Sequence, residues 1–98
     1  MASEVFERGA LAVSLAGHDE GEAFVIIEVV DGNYVLIANG RTRKVNSPKR
    51  KKTKHVKLLN TKIDLERFEV NGGLTDGDLQ KAIKENIKII GGLARVER

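Results

Sequence analysis

Ala23-Phe24-Val25-Ile26-Ile27-Glu28-Val29-Val30-Asp31-Gly32-Asn33-Tyr34-Val35-Leu36-Ile37-Ala38-Asn39-Gly40 decides the fold. Two runs rich in β-branched and aromatic residues, 23–30 and 34–38, flank Asp31-Gly32-Asn33, and the second ends on Asn39-Gly40. Asp-Gly and Asn-Gly readily take the positive φ that tight hairpin turns demand, so two strands and two turns are predicted. Upstream, Gly9 to Leu15 alternates, with Leu11, Val13 and Leu15 on one face, which predicts a half-buried strand. A polar loop bracketed by Gly17 and Gly21 joins it to the next strand. Downstream, Arg41 to Val45 reads as a short strand with its charges outward. Asn46 to Lys54 reads as a basic loop holding the sole proline, and Val56, Leu58 and Leu59 as a closing strand. Five short strands joined by tight turns are the pattern of a small antiparallel barrel or sandwich, whose closure removes exposed edges.

The remainder is less regular. Ile63-Asp64-Leu65 alternates and Arg67 to Val70 resumes out of register, open to an extended segment or a poor helix. Asn71-Gly72-Gly73 is a break. Thr75 can cap a helix whose first turn carries Asp76 and Asp78, at the positive end of the dipole. Leu79, Ala82, Ile83, Ile87 and Ile90 recur at helical spacing, predicting an amphipathic helix over 76–87. Gly91-Gly92 stops any continuation, and the last residues are expected to fray. The expected organisation is therefore a barrel over 7–60, stable by itself, and an extension over 61–98 with one helix.

The 98 residues suit one domain, with a core that is mainly aliphatic because only Phe6, Phe24, Tyr34 and Phe68 are aromatic. There is no cysteine, hence no disulfide framework and no thiolate metal site. The densest apolar run, 23–30, is of strand length and contains Glu28, so no membrane span is expected, and Glu4 and Glu7 spoil a secretory leader. A cytoplasmic protein is expected.

The net charge of +3 hides a polarity. From Gly32 to Ile63 there is no carboxylate side chain, yet ten of the 17 basic residues lie there: Arg41, Arg43, Lys44, Lys49, Arg50, Lys51, Lys52, Lys54, Lys57 and Lys62. The rest of the chain carries seven bases and all 14 acids. A chain selected only for solubility would mix its signs, whereas segregation makes a directional field suited to a polyanion.

Val13 to Ile26, alternating around Gly17, resembles the KOW motif of ribosomal proteins and transcription elongation factors. With Asn33 to Gly40, Arg41-Thr42-Arg43-Lys44-Val45, Pro48 to Lys52 and Lys54-His55, the series over about residues 7–60 resembles one branch. That branch is the large-subunit ribosomal protein family often called fourteen-e, of eukaryotes and archaea, with its short bacterial RNA-binding relatives. Leu74-Thr75-Asp76 and Lys81 resemble the C-terminal part of the bacterial proteins. The resemblance implies a five-stranded SH3-like barrel that binds structured RNA, with ribosomal RNA as the partner and ribosomal proteins as further neighbours. His18 and Glu20 stand where family loops commonly carry Lys, which moves weight from that loop to the basic block.

The candidate RNA-binding residues are Arg41, Arg43, Lys44, Lys49, Arg50, Lys51, Lys52, Lys54 and His55, with Gly17 and His18 in the first loop. Each has a plainer reading. Gly17 can simply permit a turn, Arg41 and Arg43 can guard an edge strand, and His55 can be structural. Tyr34, inside an apolar run, is expected in the core rather than under a base. Proline-rich peptide recognition needs more aromatics than are present. Catalysis finds no support, because His18 and His55 have no cysteine, metal-ligand spacing or phosphate loop beside them. No cofactor, metal or small-molecule substrate is expected. The alternative from another class is a protein-interaction adaptor whose basic block grips an acidic partner segment.

Overall fold

β1 (Ala10–Ser14), β2 (Ala23–Val29), β3 (Tyr34–Ala38), β4 (Lys49–Lys52) and β5 (Val56–Lys62) form one antiparallel sheet in the order β4-β3-β2-β1-β5. These elements come from a computed structural model that describes residues 5–70, 72–90 and 93–96. Register slips between Ala10 and Ala12 and between Ile26 and Glu28 mark bulges. Bulges add twist and bend a sheet. The five strands curl into a half-barrel of the SH3-like type, as expected, with a helix after it. A 3-10 turn, Thr53–His55, joins the two edge strands β4 and β5.

Alternation sorts the core into two layers. Ala10, Ala12, Phe24, Ile26, Val35, Ile37 and Val56 form one cluster on one face of the sheet. Leu11, Val13, Val25 and Ala38 face the other way and meet Leu65 and Leu79. β1 is thus buried at all five positions, not on one face only. Its outer face is covered by residues more than fifty positions downstream, which a local pattern does not reveal. Leu15, expected to continue that face, is 48% exposed just past the strand.

The turn at 31–33 forms, but not through a left-handed Gly32. The Asp31 carboxylate accepts the amides of Asn33 (2.7 Å) and Tyr34 (3.0 Å) and closes it instead. Gly40 does take φ +78°. A Cβ there would collide with the Asp76 carbonyl, so this glycine also lets the helix approach.

The expected fourth strand over 41–45 is absent, and the strand lies instead inside the expected basic loop. The Asn39 side-chain oxygen accepts the amides of Arg41 (2.9 Å) and Arg43 (3.0 Å), and the Arg43 carbonyl accepts those of Asn39 and Gly40. These bonds consume the donors a ladder would need and hold the segment as a turn. β4 then begins immediately after Pro48 and pairs Lys49, Arg50, Lys51 and Lys52 with Ile37, Leu36, Val35 and Tyr34.

Beyond the barrel, residues 66–70 settle as a short helix, α1 (Glu66–Val70), and the amphipathic pattern as α2 (Asp76–Asn86). Thr75 and Asp78 exchange bonds at its start: the Asp78 amide donates to Thr75 Oγ1 (3.1 Å) and the Thr75 amide to Asp78 Oδ2 (3.0 Å). That reciprocal cap satisfies donors the first turn leaves open. The expectation of frayed last residues gives way to a hairpin, β6 (Ile87–Ile90) paired with β7 (Leu93–Val96). Asn71, Gly91, Gly92 and the final two residues lie outside the described part of the chain.

Deleting residues 71–98 removes Leu79 and Ala82, both buried, and uncovers Leu11, Val13, Val25 and Ala38. Truncating one buried leucine to alanine already costs about 2–5 kcal/mol. The chain ending at Val70 is therefore expected to lose several kcal/mol of unfolding free energy in urea titration. A loss under about 1 kcal/mol would establish the chain up to Val70 as stable without α2.

Candidate nucleic-acid interface

The basic block is divided by the geometry of β4. Inward positions of β3 are Val35 and Ile37, both buried, so their partners Lys51 and Lys49 also point inward. Lys51 is only 7% exposed. A buried ammonium needs a counter-charge, and the β1–β2 loop supplies it. Lys51 Nζ donates to Asp19 Oδ1 (2.9 Å) and to the Ala16 carbonyl (2.7 Å), and Lys49 Nζ donates to Asp19 Oδ2 (3.2 Å). Ser14 Oγ adds a bond to Asp19 Oδ1 (2.8 Å). Burial by itself would raise the pKa of the Asp19 carboxyl. The bonds from Lys51, Ser14 and Lys49 together outweigh it and hold the group well below the usual carboxylate range. Gly17 takes φ +90° where the loop turns around the Lys51 ammonium, which fits the expectation of a glycine-dependent turn. His18 lies exposed beside it.

The outward positions, Arg50 and Lys52, are exposed and share a face with Tyr34 and Leu36. Arg50 carries its guanidinium carbon 4.0 Å from the Tyr34 ring centroid. Tyr34 is therefore half-buried on the outer face, not in the core. The 3-10 turn ties this corner together: the Thr53 amide donates to the Asn33 carbonyl (2.8 Å), Thr53 Oγ1 to the Gly32 carbonyl (3.1 Å) and the Leu15 amide to the His55 carbonyl (2.8 Å). Lys54 is exposed on that turn and His55 half-buried.

A second group of cations lies at the other end of the β3–β4 pair. Arg41, Arg43 and Lys44 are exposed on the turn built by Asn39. α2 fixes that turn from below: Gln80 Nε2 donates to the Gly40 carbonyl (2.7 Å), and Asp76 Oδ1 accepts the Val45 amide (2.7 Å). Among the described residues, Arg41, Arg43, Lys44, Arg50, Lys52 and Lys54 form no ion pair. The structure thus brings the candidate residues to two rigid corners, and commits Lys51 and, in part, Lys49 to Asp19.

A groove of about 690 Å³ beside the first turn is lined by Glu20 and Glu22 as well as Arg41 and Lys84. Its mixed sign does not suit a polyanion. The described residues hold no cluster of metal-ligating side chains and no helix long and apolar enough to cross a membrane. Asp19, Ser14 and Asn33 were not among the sequence candidates. The outward place of Tyr34 follows from alternation once β4 is set at 49–52, so that signal was present but depended on the register.

Asp19→Asn leaves the Lys51 ammonium buried without its counter-charge and is expected to cost about 3 kcal/mol. The sign in pH follows from the lowered carboxyl. Its contribution is complete above the unfolded-chain value of about 3.9 and fades as pH falls through the lower folded value. Urea midpoints measured from pH 6 down to pH 2 should fall less steeply in the variant than in the parent chain. Gly17→Val should cost about 1–3 kcal/mol through strain at positive φ, read from the thermal midpoint.

No protein-family model matches the chain. Individual proteins do. The large ribosomal subunit protein eL14 of Staphylothermus marinus is 30% identical over 86 residues, spanning 84% of this chain and 90% of that one. That of Hyperthermus butylicus is 30% identical over 79 residues, spanning 81% and 76%. That of Sulfolobus acidocaldarius is 29% identical over 80 residues, spanning 82% and 78%. Matches of this length run through the barrel and into the segment after it, and they agree with the half-barrel and with the motif series around Gly17; the chain belongs to the eL14 family of large ribosomal subunit proteins.

Proposed function

We propose that the chain is a structural component of the large ribosomal subunit that binds ribosomal RNA through the two corners of the β3–β4 pair. The observation that carries this reading is the set of exposed cations without acidic partners among the described residues: Arg41, Arg43 and Lys44 at one corner, Arg50, Lys52 and Lys54 at the other. Its relatives are named as large-subunit proteins, a ribosomal family and not an enzyme family. Cations of this kind displace counterions from phosphates, and the rigid turns beneath them set orientation by shape. The cytoplasm, where ribosomes translate, is the compartment this reading implies.

With these six cations on phosphates, log K should fall with log salt at a slope of about −4 to −5. Lys52→Gln with Lys54→Gln should make the slope shallower by about one to two. Lys81→Gln with Lys84→Gln on α2 should change it far less, since Asp78 and Glu85 dilute that field. Lys51→Gln should lower the thermal midpoint and leave the slope nearly alone. The measurement is a salt titration of affinity for purified large-subunit ribosomal RNA, and a helix variant that loses more than the corner variant would overturn the assignment. Sedimentation of the tagged chain with the large subunit through a sucrose gradient tests its place in the particle.

A further inference from the structure

At the corner of Arg50, Lys52 and Lys54 a cleft opens between the exposed side chains. Asn33, Tyr34, Lys52, Thr53 and Lys54 line about 260 Å³ of open space. That is below the roughly 300–1,000 Å³ of ordinary small-molecule sites and leaves room for one flat group. Tyr34 lines the cleft, and the Arg50 guanidinium stands 4.0 Å from its ring centroid, so a cation held against an aromatic ring adjoins the open space. Held in this way, the guanidinium is pre-organised as a surface for stacking.

We propose that this cleft takes a single unpaired nucleotide of the bound RNA, with its base stacked on the Tyr34–Arg50 pair and its phosphate held by Lys52 and Lys54. The inference rests on the RNA-binding reading above and names the feature of RNA that this corner selects. Three observations support it. The corner is rigid, because Asp31 closes the turn through the Asn33 and Tyr34 amides and Thr53 bonds both Asn33 and Gly32. Its acid is therefore already engaged, and Arg50, Lys52 and Lys54 have no ion-pair partner among the described residues. The Asn33 side chain is exposed with no described hydrogen bond, and its carboxamide offers one donor group and one acceptor to a base edge. Unstacked bases are what proteins read in RNA, by stacking on aromatic rings and guanidinium planes and by bonding the exposed edges, because the deep groove of a paired helix is closed to side chains.

The test compares two short hairpin RNAs of equal length and charge, one fully paired and one with a single bulged 2-aminopurine. The protein is expected to prefer the bulged hairpin several-fold and to change its fluorescence on binding. Arg50→Lys keeps the charge and removes the planar group. It should lose about tenfold on the bulged hairpin and under twofold on the paired one. Tyr34→Leu should act in the same direction, with its fold checked by thermal unfolding. Equal losses on both hairpins would overturn the cleft and leave RNA binding standing, since Arg50 would then be a phosphate contact only. Displacement of the hairpin by free adenosine monophosphate would overturn it in favour of a mononucleotide site. No binding of either hairpin by the parent chain would overturn RNA binding and the cleft together.

Discussion

A strand made of Lys49, Arg50, Lys51 and Lys52 can join a barrel only if its buried ammonium, that of Lys51, has a counter-charge, and Asp19 supplies it while also bonding the part-exposed Lys49. Leaving an ammonium buried without a counter-charge costs several kcal/mol, comparable with the whole stability of a small domain. One carboxylate between two lysines, anchored by Ser14, removes that cost and closes the β1–β2 loop over the barrel at the same time. The remaining arrangement of the site follows. With Lys49 and Lys51 facing in, period-two alternation must turn Arg50 and Lys52 out, beside Tyr34. A basic block that looks uniform along the chain becomes a structural half and an exposed half.

This sorting explains what was legible in the sequence. The β2–β3 hairpin was legible because Asp31-Gly32-Asn33 separates two apolar runs, and α2 because Thr75, Asp76 and Asp78 precede a helical repeat. The fourth strand was not. Lys49 to Lys52 contains no apolar residue, so no local pattern marks it as a strand, and its pairing depends on an aspartate thirty residues earlier. Asn39 misled in the other direction. It marked a turn correctly, but the same side chain then bonded the amides of Arg41 and Arg43 and kept the next residues out of the sheet. Ten basic residues without an acid pointed to the right region. Which of them face solvent was decided by register, and a register error of one position moves each side chain to the opposite face.

α2 gives the segment after the barrel a double task. Its apolar side places Leu79 against Leu11, Val13, Val25 and Ala38, so it belongs to the core. Its first residues, Asp76 and Gln80, grip the turn after β3 at Val45 and Gly40. Loops otherwise lose conformational entropy when they bind, at about 1–2 kcal/mol per residue fixed. A turn already held by Asn39 from within and by Asp76 and Gln80 from below has met most of that cost in folding, so Arg41, Arg43 and Lys44 are presented in one arrangement.

The described ion pairs shape the field more than they stabilise the fold. Arg8–Glu69 and Lys62–Glu7 are half-exposed, and pairs of that kind contribute about 0–1 kcal/mol. Their effect is on the distribution of charge. They cancel two cations in the acidic frame and at its border, and Asp19 offsets one of the two that face inward. The cations at the β3–β4 corners, which have no ion-pair partner among the described residues, are used by neither the core nor these pairs. Because exposed charges are screened over about 8–10 Å at physiological salt, only such a local concentration of one sign presents a polyanion with a direction, even in a chain whose net charge is +3.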